Sequence, residues 1–346
     1  MSDVASGSKE SESATLIVES HRYGVVTVVI VSTGGTIAST EDDGEDGAAP
    51  ELTAENLIAS VPELGDVASL RTRDFSNVPS AYFEIEQMAE LASEIEAYDA
   101  DEEVDGVVVT QGTDVLEESA YFVDCWYDGE TPVVFTGAMR NPSLPSPDGP
   151  ANLLASVRTA ADESAEERGA LVCFNDRIHA AADVTKTNSM NVDTFRSPEV
   201  GPLGAIDEDR VVWFRERASR PPALDPDPDR ITNDVHAVTV TADMPIAQIE
   251  AAADAEALCF AATGAGHIPP SIIEPLESVA GNGVPLIATT RCPEGRLARH
   301  TYGFRGSEET LRKLDCYFAS ENVQKTRIET IVALAADSLD VVFERP

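Results

Sequence analysis

Short segments of apolar, β-branched residues alternate with segments of helical periodicity in the first half of the chain, and this alternation constrains the fold most. The apolar segments span residues 25–31, 106–109, 132–135 and 170–174. Helices are predicted at residues 81–98, behind Ser80 as the N-cap, and at residues 116–126 and 151–161. Strands that alternate with helices form a mainly parallel sheet with helices on both faces, so the chain is predicted to be an α/β protein.

A Pro- and Asp-rich segment at residues 216–231 interrupts this pattern and is predicted to be a linker. Beyond it, strands are predicted at residues 237–240, 257–261, 285–289 and 316–318, and helices at 246–253, 271–279, 308–314 and 323–336. We therefore expect a larger N-terminal parallel-sheet domain at residues 21–215 and a smaller C-terminal α/β domain at residues 232–346. Residues 1–20, rich in Ser, Glu and Gly, are predicted to form a disordered tail.

The charge of the chain argues against two classes of partner. Lys and Arg number 24 against 62 Asp and Glu, which makes the formal net charge −38. A protein this acidic repels nucleic acids and anionic membranes, so neither is expected as a partner. An acidic surface with few lysines is typical of a cytoplasm with molar salt, where a Debye length of about 3 Å screens the repulsion. We expect a halophilic source, with an acidic mesophilic protein as the alternative.

The cysteine, histidine and hydropathy patterns favour a cytoplasmic protein without a metal site. The five cysteines are widely spaced without a C-x-x-C motif, and the five histidines lack the spacing of metal ligands. Buried free thiols in a reducing cytoplasm are therefore expected. Residues 1–14 contain no recognisable signal peptide, and no apolar segment approaches the ~18 residues of a membrane helix.

Polar and glycine-bearing motifs follow each of the four N-terminal strands, at the sheet edge where ligands bind in open parallel sheets. These motifs are Gly-Gly-Thr at residues 34–36, Gly-Thr-Asp at 112–114, Thr-Gly-Ala-Met-Arg at 136–140 and Asp-Val-Thr-Lys-Thr at 183–187. The double glycine lets the backbone approach a ligand closely and presents Thr36 at the sheet edge. Neither a phosphate-binding loop nor a dinucleotide-binding motif occurs there.

Lys186 is the residue that most favours catalysis over binding. A threonine hydroxyl is a weak nucleophile that needs a nearby base, and a lysine, unlike an arginine, can be tuned to act as one. Non-catalytic explanations stay open. The Gly-Gly-Thr turn could bind an anion or have no function, Asp114 could be the N-cap of the helix that follows, and Lys186 could form a structural ion pair with Asp183.

Five motifs together resemble the L-asparaginase/glutaminase family in order and spacing. They are TGGTIA, QGTD-LEE-AYF-D, TGAMR, SPDGPANL and DVTKTN–VDTF–SP–GPLG, across roughly residues 25–204. The C-terminal domain resembles the family more loosely, with VQKTRI-TIVALA similar to its last helix. The resemblance implies hydrolysis of the side-chain amide of asparagine, sometimes glutamine, without a cofactor. It also implies a homotetramer in which the partner's smaller domain closes each site.

The resemblance further implies roles for single residues. Thr36 would attack the amide carbon and form an acyl-enzyme, with Thr113, Asp114 and Lys186 as a second catalytic group. The residues expected to bind the substrate are Gly35, Ser76, Asn77, Gly112 and Ala138. Asp114 would also meet the α-amino group of the substrate, and Ser76 with Asn77 its α-carboxylate. Donors around Thr113 and Ala138 would stabilise the oxyanion.

The chain departs from the family pattern at two places. Gln111 and Val115 stand where bacterial relatives read HGTDT. Residues 39–52 form an acidic, glycine-bearing segment that could act as a mobile lid, but they contain no tyrosine where relatives commonly place one against the nucleophile. Tyr302, entering from a neighbouring subunit, is therefore a candidate for activating Thr36. A packed tyrosine is the alternative for that residue.

Two other functions stay open beside an L-asparaginase that assembles as a homotetramer or homodimer. One is the asparaginase-like subunit of the archaeal glutamyl-tRNA(Gln) amidotransferase. That subunit normally carries an extra N-terminal domain, whereas about 25 residues precede the Gly-Gly-Thr strand here. The other is a non-catalytic amino-acid-binding homologue, which the missing lid tyrosine would fit. Two threonine hydroxyls and a lysine in the motifs favour catalysis over that reading.

Overall fold

The computed structural model describes residues 26–35, 37, 39–41, 48–50, 53–217 and 223–346. The strands in this part of the chain are β1 (Thr27–Ser32), β2 (Ser39–Glu41), β3 (Ala48–Pro50), β4 (Ser69–Asp74), β5 (Gly106–Thr110), β6 (Val133–Thr136), β7 (Ala170–Phe174), β8 (Arg177–Ala180), β9 (Thr185–Lys186), β10 (Phe195–Arg196), β11 (Gly204–Asp207), β12 (Arg210–Trp213), β13 (Val235–Thr239), β14 (Ala257–Ala262), β15 (Leu286–Thr290) and β16 (Tyr317–Phe318). The α-helices are α1 (Ala54–Ala59), α2 (Ile85–Asp99), α3 (Leu116–Trp126), α4 (Gly149–Ala160), α5 (Ala247–Glu250), α6 (Ile273–Gly281), α7 (Glu308–Lys313), α8 (Val323–Ala335) and α9 (Leu339–Val342).

The main sheet contains eight strands in the order β12-β11-β8-β7-β6-β5-β1-β4. Neighbouring strands from β4 to β7 are parallel, and β8, β11 and β12 extend the sheet with antiparallel pairs. All five residues of β5 are buried, as are five of the six in β1. Burial on both faces explains why these strands are continuous apolar segments in the sequence.

Successive residues of the central strands pack against helices on opposite faces of the sheet. Val29 and Val31 of β1 join a core with α2, α3 and α8, whereas Val28 and Ile30 join a core with α1 and α4. The period of two along a strand produces this division. The predicted α/β class, with helices on both faces of a mainly parallel sheet, is confirmed.

The second sheet is smaller and lies in the C-terminal part of the chain, with four parallel strands in the order β13-β14-β15-β16. One face packs against α5 and α6 through Leu258 and Phe260. The other face packs against α8 through Ala257 and Cys259, in the same core that contains α3. Helix α8 therefore lies between the second sheet and α3, and the two halves of the chain share this core.

Several sequence predictions differ from the structure. Ser80 is not the N-cap of α2, because a 3-10 turn occupies Ser80–Tyr82 and Glu84 caps the helix, with Gln87 completing a capping box. β4 was not predicted, because it is an exposed and polar edge strand, and neither were the antiparallel strands β8, β11 and β12. Cys292 is exposed, whereas the other four free thiols are buried as predicted.

The segment predicted to be a linker makes extensive contacts where it is described. Arg217 forms a buried ion pair with Asp124 of α3, with an Nη2–Oδ2 distance of 2.6 Å. The Leu224 N–H donates to the carbonyl of Cys125 at 2.9 Å. Residues 218–222 lie outside the described part of the chain, as do residues 1–25, which include the predicted tail. Among the described helices, none has both the length and the apolar character needed to cross a bilayer.

Candidate active site

The loops that follow β1, β5 and β6 are joined to one another by backbone hydrogen bonds. The Thr33 N–H donates to the carbonyl of Thr110 at 3.0 Å, and the Gln111 N–H donates to that of Thr136 at 2.9 Å. The loop after β4 joins the same edge, because the Ser76 hydroxyl donates to the carbonyl of Thr33 at 3.0 Å. The carboxyl ends of four parallel strands therefore form one polar edge.

Both glycines of the Gly-Gly-Thr motif have the left-handed backbone that only glycine adopts readily, with φ of 96° at Gly34 and 87° at Gly35. A Cβ on Gly35 would lie 2.2 Å from the backbone nitrogen of Gly112, so the loops after β1 and β5 touch through their backbones. Thr36, the residue predicted to be the nucleophile, lies outside the described residues. Ile37, which follows it, is buried in the core with α4.

Thr113, Asp114 and Lys186 meet at this edge although 72 residues separate Asp114 from Lys186. The Lys186 Nζ donates to Thr113 Oγ1 at 2.9 Å and to Asp114 Oδ1 at 2.8 Å. The side chain of Lys186 is 17% exposed and that of Asp114 is 65% exposed. A half-enclosed ammonium thus bridges a buried hydroxyl and a carboxylate that is open to solvent.

This geometry excludes two of the non-catalytic explanations. Asp114 is not the N-cap of α3, because Val115 occupies that position without a side-chain cap. Lys186 does not pair with Asp183, whose Oδ2 instead accepts from Arg215 Nη2 at 2.9 Å. The side chains of Asp114 and Lys186 are therefore both directed to the same point at the strand ends.

Local structure also holds Lys186 on a short antiparallel ribbon. β9, which ends at Lys186, pairs with β10, and Phe195 is the register partner of the lysine. Beyond the ribbon, the Thr187 N–H donates to the carbonyl of Thr194 at 2.8 Å. In addition, a carboxylate oxygen of Glu117 accepts from the Lys186 backbone N–H. The backbone on both sides of the lysine is thus bound to neighbouring segments.

The remaining predicted substrate-binding residues lie at the same edge. Asn77 is exposed and adjoins Gly34, since a Cβ on that glycine would lie 3.1 Å from the Asn77 carbonyl carbon. Ala138 is fully buried and its side chain packs in the core with α4. Any contact between Ala138 and a ligand would therefore be made by its backbone.

The Ser-Pro-Asp-Gly-Pro motif at residues 146–150 leads into α4 and is interpreted from the sequence as a helix cap that supports the site; in the structure its support comes from contacts with the loop after β6. Asp148 occupies the N-cap position of α4 but forms no side-chain cap; its carboxylate accepts from the backbone N–H groups of Met139 and Arg140. Asn152 donates to the carbonyl of Gly137 at 2.9 Å. Both side chains therefore hold the loop that follows β6.

Tyr302 is not brought to this group within one chain. Its ring contacts are with His267 and Phe304, at centroid distances of 4.7 and 6.0 Å. Among the described hydrogen bonds and ring contacts, none joins Tyr302 to Thr113 or Lys186. The tyrosine is 43% exposed at the surface of the C-terminal half.

Sequence reasoning missed three residues that hold the site. The Ser80 hydroxyl donates to the carbonyl of Gly112 at 2.5 Å and accepts from the Val115 N–H at 3.2 Å, fixing the turn that carries Thr113. Glu117 and Lys325 are buried charged side chains, and both contact the segment that carries Lys186. Their only signal in the sequence is a charged residue on the buried face of a predicted helix.

Comparisons with known proteins agree over most of the chain. The family model described as "Asparaginase, N-terminal" matches residues 27–220, and that described as "Glutaminase/Asparaginase C-terminal domain" matches residues 234–341. The chain is 33% identical over 320 residues to the glutaminase-asparaginase of Pseudomonas aeruginosa, covering 89% of this chain and 86% of the relative. It is 34% identical over 295 residues to L-asparaginase 2 of Escherichia coli, covering 81% and 84%.

A solved structure has the same fold. The probable cytoplasmic L-asparaginase of Campylobacter jejuni superposes with a TM-score of 0.80 at 29% identity. The match covers 89% of this chain and 95% of that one. The fold with a large N-terminal and a smaller C-terminal sheet is thus shared with a solved relative.

Proposed function

Because the chain belongs to the asparaginase/glutaminase family and is an amidohydrolase of that kind, we propose that it hydrolyses L-asparagine to L-aspartate and ammonia. The observation that carries the proposal is the contact of one lysine ammonium with both Thr113 and Asp114, beside the double-glycine turn. Glutamine is the competing substrate, since relatives at similar identity are named for both amides.

In the proposed mechanism Thr36 is the nucleophile. Its hydroxyl oxygen forms a bond to the amide carbon, the carbon–nitrogen bond breaks, and the nitrogen leaves as ammonia after gaining a proton. Water then hydrolyses the threonine ester, which releases aspartate and restores the hydroxyl. Backbone donors near Thr113 and Ala138 stabilise the oxyanion in both steps.

Thr113, Asp114 and Lys186 move protons and bind the substrate amine. The 2.9 Å separation of Thr113 Oγ1 and Lys186 Nζ is within the range for direct proton transfer. The exposed Asp114 carboxylate receives the α-ammonium group of asparagine, and Ser76 and Asn77 receive its α-carboxylate. Tyr302 of a neighbouring subunit is the candidate for taking the proton from Thr36.

The setting of the enzyme is part of the proposal. From the net charge of −38 and the four lysines we propose a halophilic cytoplasm. From the resemblance to the family we propose a homotetramer or homodimer. We expect the reaction to need no cofactor. Sedimentation at molar salt measures the assembly, and a monomer that is fully active would contradict the role of a neighbouring Tyr302.

Ammonia release from asparagine and from glutamine, at molar salt, tests the function. We expect asparagine to be hydrolysed with the higher kcat/KM, and Thr36→Ala to abolish the reaction while binding is retained. A wild type without activity on either amide would overturn the proposal and favour a binding homologue. Full activity in Thr36→Ala would move the nucleophile elsewhere, with Thr113 the next residue to test.

A further inference from the structure

The segment that carries Lys186 is held by a lysine from the C-terminal half. The Lys325 Nζ donates to the carbonyls of Ala181 and Ala182, both at 2.7 Å, and to that of Val184. Lys325 lies in the first turn of α8 and is 1% exposed. Its ammonium therefore binds three carbonyl groups of the short segment 181–184 that precedes Lys186.

A second contact reaches Lys186 itself. One carboxylate oxygen of Glu117 accepts from the Lys186 N–H. The other oxygen accepts from Gln324 Nε2 at 2.7 Å and from Asn322 Nδ2 at 3.3 Å, both at the start of α8. Glu117 is 4% exposed, whereas its donors Asn322 and Gln324 are half-buried. We call Glu117, Asn322, Gln324 and Lys325 the α8 clasp.

The clasp contains two buried charged side chains, Glu117 and Lys325. Burial lowers the pKa of Lys325, and Glu321 and Glu117 only partly oppose this effect. Replacing a complete set of buried, paired charges by apolar side chains is often neutral or stabilising, so buried charges are weak evidence for a purely structural role. Their hydrogen bonds do impose direction, which apolar contacts do not.

Glu117 of the α8 clasp lies close in the chain to the two residues that contact the Lys186 ammonium. Thr113 and Asp114 immediately precede α3, and Glu117 lies in the first turn of that helix. Glu117 therefore joins the backbone of Lys186 to the element that carries both partners of its ammonium. Catalytic groups must be held to within about 0.5 Å, and a displacement of about 1 Å can cost a factor of about 100 in rate.

We propose that Glu117 and Lys325 are positioning residues through which helix α8 sets the distance of the Lys186 ammonium from Thr113 and Asp114. This inference rests on the proposed function, in which Lys186 takes part in amide hydrolysis. The C-terminal half thereby acts on the catalytic lysine of its own chain. Neither positioning residue touches the substrate.

A double-mutant cycle tests the proposal. Glu117→Gln keeps the size of the side chain but turns an amide N–H₂ group toward one of its present donors. We expect kcat to fall about 10- to 100-fold with KM changed less than about threefold. In a Lys186→Met background the same substitution should leave the residual kcat within about twofold, because there is no ammonium left to position.

Two further variants separate positioning from folding. Exchanging the pair, as Glu117→Gln with Gln324→Glu, swaps donor and acceptor and should restore kcat to within about threefold of wild type. Lys325→Met should lower kcat as Glu117→Gln does. Glu118→Gln is the matched control. It removes a carboxylate from the adjacent residue of α3, which has no hydrogen bond to the Lys186 segment among those described, and kcat should not change.

The outcomes distinguish this inference from the function on which it rests. A wild type inactive on asparagine and glutamine overturns the proposed function, and the inference with it. An active wild type in which Glu117→Gln lowers kcat by the same factor with and without Lys186 overturns the inference alone. So does an unchanged kcat in both Glu117→Gln and Lys325→Met, with thermal unfolding confirming that each variant is folded.

Discussion

Lys186 has two partners of different chemistry, a threonine hydroxyl at 2.9 Å and a carboxylate at 2.8 Å. Only the carboxylate is largely exposed, so it is the partner that the proposed mechanism assigns to the substrate ammonium. That mechanism also needs a base at this position, a role that lysine can take and arginine cannot. At the scale of the residue, the proposed chemistry depends on this difference between two cationic side chains.

Lys186→Arg should therefore lower kcat by at least about 100-fold while the protein stays folded. The charge is retained, so the loss reports the missing base and the altered geometry. Steady-state ammonia release at molar salt measures it. Lys313→Arg is the matched control, since Lys313 is 72% exposed and pairs with Glu309 on α7. A kcat for Lys186→Arg equal to that of the control would contradict proton transfer through Lys186.

Gly35→Ala should damage both stability and activity. The residue has a φ of 87°, and a Cβ there would lie 2.2 Å from the Gly112 nitrogen, so the Gly112 loop must move. We expect the free energy of unfolding to fall by about 1–3 kcal/mol and kcat to fall with it. Urea denaturation measures the first quantity. Gly65→Ala, where a Cβ meets nothing within 4 Å, should change neither.

At the scale of elements, helices α3 and α8 form a contact unusually rich in buried acids. Burial raises the pKa of Glu329 to about 8, with Glu321 and Asp124 adding to the effect and Lys325 opposing it. Burial likewise raises the pKa of Glu118 to about 7, and the neighbouring charge of Glu117 contributes. These carboxyl groups prefer the protonated form, so the helix contact is weakest in alkaline solution.

The raised pKa of Glu329 should make the free energy of unfolding fall as the pH rises. A carboxyl whose pKa is raised on folding binds more protons in the folded state. Its contribution to stability is complete below its ordinary pKa of 4.5 and is lost progressively as the pH rises through about 8. The free energy of unfolding should therefore fall between about pH 5 and about pH 9, and Glu329→Gln should reduce this fall by up to a few kcal/mol.

Urea denaturation at the two pH values, at constant salt, measures this difference. Glu55→Gln is the control, because Glu55 is an exposed residue of α1 and its removal should leave the pH dependence as in wild type. An identical slope in Glu329→Gln and Glu55→Gln would contradict an unfavourable charge on Glu329 in the folded protein.

For the whole molecule, the net charge of −38 dominates the response to solvent. Repulsion among 62 acidic side chains opposes the compact state and is screened by salt. Surface ion pairs in the described part of the chain, such as Arg71–Asp101 at 2.9 Å, are exposed, and each such pair contributes little to stability.

The melting temperature should consequently rise steeply with KCl and be lowest below roughly 0.5 M. Sucrose at equal osmolality is the control, because it stabilises by exclusion from the surface and does not screen charge. A melting temperature that is independent of KCl, or that responds equally to sucrose, would contradict the halophilic proposal.

Local sequence patterns predicted the strands and helices better than they predicted which parts of the chain these elements contact. The β7 and α3 bounds agree with the sequence prediction, because buried runs and helical periodicity are local properties. β4 was missed because an exposed edge strand carries no apolar pattern. Ser80 was assigned to a helix cap because its real acceptor, the carbonyl of Gly112, lies 32 residues away.

The same division applies to the site. Strand and helix alternation placed Thr113, Asp114 and Lys186 after strands, at the sheet edge where they would meet, whereas their grouping as a second catalytic set came from the resemblance to the family. The hydrogen bonds that connect α8 to the Lys186 segment could not be predicted from the sequence. It depends on a contact between Glu117 and Gln324, 207 residues apart, that exists only after two helices pack together. Periodicity reports which face of a helix is buried, and only the packed structure determines what that face touches.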